Sequence, residues 1–163
     1  MGLLVTFFAA SIFFSFLCSI LEAVLLSITP AYVAAQDRDN TAISRNLSRF
    51  KEDIDRPLAA ILTLNTIAHT VGAIGVGAQA AVIFGASKIE VFGLAMVSWE
   101  AFVAGAMTLA ILIFSEVIPK TLGANNWQAL TPLSIRIINS LMIVLAPMIS
   151  LSQLITKNLK KDK

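Results

Sequence analysis

The sequence carries three ionisable side chains inside long apolar stretches, namely Glu22, His69 and Glu116. A charged group in such a stretch is expensive to bury in lipid, so it is a functional-site hypothesis by default. Each of the three also has polar residues nearby. The sequence therefore predicts clusters of polar groups within the membrane.

Around Glu22 the polar residues recur at helical spacing. Ser11, Ser15 and Ser19 are four residues apart, and Glu22 follows Ser19 by three. Residues at these spacings share one helix face. Close helix packing is sufficient to explain Ser11 and Ser15. A carboxylate adds nothing to packing, so Ser19 and Glu22 are candidate ligands, although the packing explanation stays open for them.

The second group is Asn65 and His69, which are four residues apart and so share a face. A single histidine is a weak indication of a metal, and a neutral imidazole held by one hydrogen bond is the simpler interpretation. Asn65 could equally be a hydrogen bond between helices. This pair gains weight only if it meets the other polar groups.

Glu116 lies in the run Ser115–Lys120, which reads SEVIPK. Pro119 has no N–H for the carbonyl of Ser115, so we expect the helix to bend and to free backbone oxygens beside the carboxylate. In lipid a freed carbonyl needs a partner, and a cation is one. The alternative is that Pro119 simply ends the helix at the interface while Lys120 reaches the headgroups.

The elements that must position these residues are membrane-spanning helices. The chain has 163 residues, of which 57% are hydrophobic and 13% charged, whereas a soluble domain carries about 25% charged residues. This composition excludes an ordinary soluble enzyme and a disordered chain. The unbroken apolar runs exclude alternating barrel strands. The single cysteine, Cys18, predicts no intrachain disulfide and no metal site. We predict an all-α integral membrane protein.

The apolar stretches predict three spans, at about residues 1–28, 57–86 and 99–119, within one transmembrane domain, 1–163. Three glycines close together in the second span, Gly72, Gly75 and Gly77, predict a kink or break there.

A fourth stretch, at about 132–156, is ambiguous because Pro147 interrupts its apolar centre. If it crossed the membrane, the C-terminal lysines would lie opposite the basic 37–56 segment, which the positive-inside rule disfavours. We therefore expect a juxtamembrane helix at the interface, although full insertion stays open. The same rule predicts a multi-pass protein of the cell membrane, with its N-terminus outside and both the 30–56 loop and the C-terminus cytoplasmic.

The candidate ligands fall at similar depths in these spans. Counted along the helices, Ser19, Asn65 and Glu116 lie about 14, 12 and 5 Å from the cytoplasmic ends of their spans. A hydroxyl, an amide and a carboxylate suit a hard cation such as Mg²⁺. The residues alone thus predict a cation site, without yet predicting transport.

At these same residues the sequence resembles the cyclin M/CorC family of magnesium transporters. The matching pieces are Ser19–Ala23 (SILEA), Leu64–Thr66 (LNT) with His69, and Ser115–Thr121 (SEVIPKT). The resemblance covers nearly the whole chain. It implies a homodimer in the lipid bilayer, each subunit having three transmembrane helices and a C-terminal juxtamembrane belt helix.

The resemblance also implies a function, which is export of Mg²⁺ coupled to Na⁺ influx through an inward-facing site. Ser19, Asn65 and Glu116 match its Mg²⁺ ligands. Glu22 matches a carboxylate that is either a further ligand or a partner that locks the helices. The alternative function is a Mg²⁺-sensing regulatory or assembly protein that moves no ion.

Some features depart from the family pattern. His69 stands where asparagine is usual, and Leu64 where glycine is frequent, so ion selectivity and local helix shape are open. The outer segment between residues 86 and 99 is long. Family members continue into a cytoplasmic nucleotide-binding module, whereas this sequence stops at Lys163. The sequence is then either a fragment of a longer protein or a one-domain member, and nucleotide binding is not expected in it. Enzymatic activity is not expected either, because no nucleophile and base lie at a credible spacing, and nor is nucleic-acid binding.

Overall fold

A computed structural model of the chain describes residues 1–84, 88–91 and 95–160. Helices dominate it, and the predicted helical membrane fold is confirmed. The elements in order are α1 (Gly2–Ser27), α2 (Pro30–Asp37), α3 (Ala42–Glu52), α4 (Asp55–Phe84), β1 (Lys88–Val91), β2 (Ala95–Ser98), α5 (Trp99–Leu112), a π-helical turn (Ile113–Val117), α6 (Ile118–Asn125), α7 (Trp127–Val144) and α8 (Ala146–Lys160). The predicted end of the second span, at residue 86, lies outside the described residues. The two strands pair antiparallel, with Lys88 opposite Ser98.

Three helical segments are long and apolar enough to cross a membrane: Gly2–Ser27, Asp55–Ile83 and Ala101–Asn125. This agrees with the number predicted from the sequence. The fourth stretch forms two helices, α7 and α8, bent by 82° where they meet. Pro147 lies in the first turn of α8, where its missing N–H costs no hydrogen bond. By length and composition the bent pair could count as one broken span.

The predicted break at the glycines of the second span is wrong, since α4 is an uninterrupted α-helix through all three. At two of them the glycine instead permits a close approach to α1. A Cβ on Gly72 would lie 2.5 Å from Cβ of Ser11, and one on Gly75 would lie 2.5 Å from the Phe7 ring. These glycines therefore serve helix packing, because only a residue without a side chain fits there.

The third span passes through Pro119 and ends at Asn125, so the proline does not end the helix. The turn before it widens to a π-helix, in which the N–H of Ile118 donates to the carbonyl of Ile113, five residues back. A proline cannot donate to the carbonyl four residues earlier, and its ring crowds that carbonyl. A single π turn is a known way for a helix to absorb such a disruption, and it occurs often at functional sites.

The described chain divides into two compact units. The first comprises residues 1–19 and 64–119. Its buried side chains mix apolar residues with a row of serines: Leu4, Ser11, Ser15, Cys18, Ser19, Val76, Ala80, Ile111 and Ser115. Ser11 donates a hydrogen bond to the carbonyl of Ala68 at 3.2 Å, directly beside Gly72. Hydroxyls thus join α1 to α4 where the glycines let them approach.

The second unit comprises residues 20–63 and 120–163. Its buried apolar side chains include Leu21, Leu25, Leu47, Phe50, Ile61, Ile135 and Ile138. Lys51 on α3 donates to the carbonyl of Leu25 at 3.1 Å, so its positive charge lies at the C-terminal end of α1, where the helix dipole favours it. Burial lowers the pKa of the Lys51 ammonium. The polar 30–56 segment is thus folded into α2 and α3.

The fit of Gly72 against α1 predicts that its replacement by alanine will destabilise the protein. The added methyl has to displace Ser11, and overpacking of this kind costs about 1–3 kcal/mol. This exceeds the roughly 0.5–1 kcal/mol that alanine gains over glycine within a helix. Thermal unfolding in detergent should show a lower Tm for Gly72→Ala.

The matched control is Gly77→Ala on the same helix. No described atom lies within 4 Å of a Cβ at Gly77. We expect this variant to keep or slightly raise the Tm. Equal Tm values for the two variants would contradict the packing role of Gly72.

Candidate cation site

The predicted ligands Ser19, Asn65 and Glu116 lie on three separate helical elements of the first unit, and two further polar residues lie beside them. Ser15 and Ser19 lie one turn apart on α1, and Asn65 and His69 lie one turn apart on α4. Glu116 lies within the π-helical turn. Because residues four apart share a helix face, each helix presents its pair to one side.

A chain of polar contacts links these elements. Ser15 Oγ lies 2.8 Å from Asn65 Oδ1 and 2.7 Å from His69 Nε2. His69 Nε2 lies 3.1 Å from Glu116 Oε1. Asn65 and Glu116, which the sequence proposed as partners, are therefore joined through Ser15 and His69. We call these four residues the polar cluster.

One arrangement of protons satisfies every contact in the polar cluster. The Ser15 hydroxyl has one proton and donates it to Asn65 Oδ1, so it accepts from His69. The Nε2–H of His69 then points at both Ser15 Oγ and Glu116 Oε1. In this arrangement every contact of the polar cluster has one donor and one acceptor.

Ser19 is fully buried, and its Oγ has no hydrogen-bond partner among the described residues. Leaving a buried hydroxyl unpaired costs about 1–3 kcal/mol. The hydroxyl of Ser115, by comparison, donates a hydrogen bond to the carbonyl of Ile111, four residues earlier in the same span. Ser19 is thus an unsatisfied donor and acceptor one helical turn from Ser15.

Glu22 belongs to the second unit, and there it pairs with a lysine. Lys120 Nζ lies 3.3 Å from Glu22 Oε2, and the carboxylate side chain is the more buried of the two. A Cβ on Gly123 would lie 3.0 Å from Cβ of Ala23, so α6 approaches α1 closely beside this ion pair. Glu22 was considered either as a cation ligand or as a partner that locks two helices together. Lys120 is the partner that the helix-locking role requires.

The polar cluster can offer a cation few charged groups. In the part of the chain that the structure describes, no three His, Cys, Asp or Glu side chains come together as a metal site. The cluster provides one carboxylate, one imidazole and neutral oxygens. The His69 and Glu116 side chains keep 26% and 28% of their surface exposed within the single chain. Such a set suits a weakly held divalent cation.

Two members of the polar cluster were undervalued by sequence reasoning. The sequence analysis attributed Ser15 to helix packing. It favoured for His69 a neutral imidazole held by one hydrogen bond. The signal for Ser15 was its position one turn before Ser19 on the same face. The signal for His69 was its spacing from Asn65, together with the cost of leaving an imidazole in lipid.

Comparison with known proteins identifies relatives. Residues 5–161 match the family described as the cyclin M transmembrane N-terminal domain. A UPF0053 protein from Synechocystis sp. is 30% identical over 143 residues, which cover 86% of this chain and 37% of that protein. The chain thus spans about a third of the length of the curated relative it matches.

The Glu22–Lys120 pair makes a stability prediction. Removing either partner leaves the other charge unpaired, so Glu22→Gln and Lys120→Met should each lower the Tm in detergent. The double variant should lose less than the two single losses together, with a coupling energy of about 0.5–3 kcal/mol. Thermal unfolding of all four proteins measures this cycle.

The matched control combines Glu22→Gln with Arg136→Met, because Arg136 is exposed and has no described contact with Glu22. That cycle should be additive. If the Glu22–Lys120 cycle is additive as well, the pair does not lock the helices, and Glu22 returns to the set of candidate ligands.

Proposed function

The chain belongs to the cyclin M transmembrane family, and from this premise we propose that it exports Mg²⁺ in exchange for Na⁺. In this proposal the polar cluster and Ser19 form the inward-facing site. The protein moves ions and catalyses no covalent reaction. The observation that carries the proposal is the link between Glu116 and Asn65 through Ser15 and His69, on three helical elements.

The spacing of the polar cluster supports Mg²⁺ as the cargo. Mg²⁺ takes octahedral ligands at about 2.0–2.1 Å, so neighbouring ligands lie about 3.0 Å apart. The three successive contacts of the cluster measure 2.8, 2.7 and 3.1 Å. Ser15 Oγ and Asn65 Oδ1 thus already lie at the separation of neighbouring ligands. Ser15 Oγ and Glu116 Oε1 both contact His69 Nε2, so these oxygens lie close enough together for one ion.

The charge of the site supports transport over permanent binding. A single carboxylate, Glu116, offsets only half of the charge on a divalent ion. The other oxygens are neutral, and Mg²⁺ gives up its water reluctantly. A transported ion must be held firmly enough to enter the site and weakly enough to leave it. One carboxylate with several neutral oxygens meets both demands.

The unpaired hydroxyl of Ser19 supports a site in which the bound ion supplies a missing contact. Its buried Oγ has no described partner, so coordinating a cation directly or through water would satisfy it. Binding would then recover the free energy that the empty arrangement loses at this hydroxyl. The Na⁺ coupling rests on the resemblance of the chain to the family as a whole.

The proposal includes a homodimer with its N-termini outside and its C-termini in the cytoplasm. Only 11% of the apolar window of the third span is buried within the chain, against 28% in each of the other two. This helix therefore leaves the most surface for lipid or for a second copy. The charge distribution described above supports the orientation.

Transport predicts that Glu116→Ala will lose Mg²⁺ efflux by about tenfold or more, because the site loses its only carboxylate. The measurement is Mg²⁺ flux from proteoliposomes with and without an opposing Na⁺ gradient. Asp39→Ala, an exposed acidic residue between α2 and α3, is the matched control and should keep wild-type flux.

The same assay separates the alternative function. If calorimetry detects Mg²⁺ binding to wild-type protein but the reconstituted protein moves no ion, the chain is a sensor or assembly protein. Undiminished flux in Glu116→Ala would overturn the assigned site. Flux that ignores the Na⁺ gradient would overturn the coupling alone.

The orientation predicts which positions an impermeant thiol reagent can reach in intact cells. In a Cys18→Ala background, Gly2→Cys should be labelled from outside, and Asp39→Cys should be labelled only after permeabilisation. The background variant alone, without any cysteine, measures non-specific labelling. The reverse pattern would contradict the orientation.

A further inference from the structure

We propose that His69 is itself a cation ligand, so that the site accepts first-row transition-metal dications such as Mn²⁺ and Zn²⁺ in addition to its Mg²⁺ cargo. This inference rests on the proposed function and specifies the substrate class of the same site. An oxygen-only site would favour hard cations, whereas an imidazole shifts the preference toward transition metals.

The ring of His69 is oriented for this role. Its Nε2 is the atom that contacts the polar cluster, at 2.7 Å from Ser15 Oγ and 3.1 Å from Glu116 Oε1. A cation held by Glu116 Oε1 would therefore lie within reach of the same nitrogen.

Freeing Nε2 for a metal needs only a change of tautomer. Both described contacts of the ring are made by Nε2, so Nδ1 can carry the proton while Nε2 presents its lone pair. The ring loses the proton at Nε2 and gains one at Nδ1, so its number of protons is unchanged. The neutral ring then binds the ion, and Glu116 exchanges its contact with Nε2–H for one with the cation.

A purely structural histidine explains fewer of these contacts. It would account for the hydrogen bond to Glu116, but it would leave the imidazole and the carboxylate about a quarter exposed beside each other. A shared cation accounts for both features, because it draws on the nitrogen and the carboxylate together. The buried, unpaired hydroxyl of Ser19, one helical turn from Ser15, is a further oxygen that water could link to such an ion.

The preference follows from coordination chemistry. Mg²⁺ prefers oxygen ligands and keeps several waters, so a nitrogen adds little to its binding. For a given site with nitrogen, affinity rises from Mn²⁺ toward Zn²⁺. With His69 as a ligand, the site should therefore bind Mn²⁺ and Zn²⁺ above Mg²⁺ at equal concentrations.

Pulsed electron paramagnetic resonance of bound Mn²⁺ tests the ligand directly. His69 is the single histidine of the chain, so an imidazole nitrogen coupling, in protein purified without a histidine tag, must come from it. We expect that coupling in wild-type protein, and its replacement by the ¹⁵N pattern after growth on ¹⁵N-labelled histidine. The isotope test needs no mutation and so does not depend on a variant that folds.

The functional readout compares Mn²⁺ with Mg²⁺ in the same proteoliposomes. His69→Asn replaces the imidazole by an amide, and its Mg²⁺ flux in the same vesicles is the reference for its Mn²⁺ flux. The ratio of Mn²⁺ flux to Mg²⁺ flux should fall about tenfold relative to wild type, because even a group that only supports a ligand is worth about 10- to 100-fold in metal affinity. Asp39→Ala again serves as the control, and it should keep the wild-type preference.

The outcomes separate the two proposals. Mg²⁺ flux without nitrogen coupling, and with an unchanged preference in His69→Asn, overturns the role of His69 and leaves the transporter intact. Wild-type protein that moves neither ion overturns the transporter. Nitrogen coupling together with a lost preference in the variant supports both.

Discussion

A carboxylate inside an apolar helix has to find its partners within the protein, and the arrangement of the first unit depends on this constraint. Glu116 is joined through His69 and Ser15 to Asn65, so one charge is spread over polar groups of three helical elements. Lipid offers no hydrogen bonds, so this network must be complete without water from the bilayer. The helices that supply it must therefore stay close to one another.

That closeness is achieved by small side chains on facing helices. Gly72 lies against Ser11, whose hydroxyl bonds to the carbonyl of Ala68 one turn earlier on α4. Asn65 and His69 continue the same helix toward Ser15. The residues that pack α1 against α4 and the residues of the polar cluster thus lie on successive turns of the same helix pair. A change that separated α1 from α4 at Gly72 would also disturb the polar cluster. The packing of these helices and the geometry of the polar cluster are therefore coupled through this contact.

The sequence predicted the helical fold, the number of spans and the shared face of Asn65 and His69, because these depend on apolar length and helical spacing. It could not predict the effect of Gly72, since a glycine that breaks a helix and one that admits a neighbour look alike until the neighbour is known. The sequence could not predict the π turn either. Pro119 indicated a disturbance, but whether a helix ends, bends or widens at a proline depends on what packs around it.

The π turn has a consequence for the site. By adding a residue to one turn, it rotates Ser115 and Glu116 relative to a regular helix, so their directions do not follow the spacing of the residues before them. Ser115 returns its hydroxyl to the carbonyl of Ile111, while Glu116 meets His69. A return to regular α-helical geometry would turn the carboxylate away from the imidazole. The site therefore depends on Pro119 through backbone geometry, although the proline contributes no polar side chain.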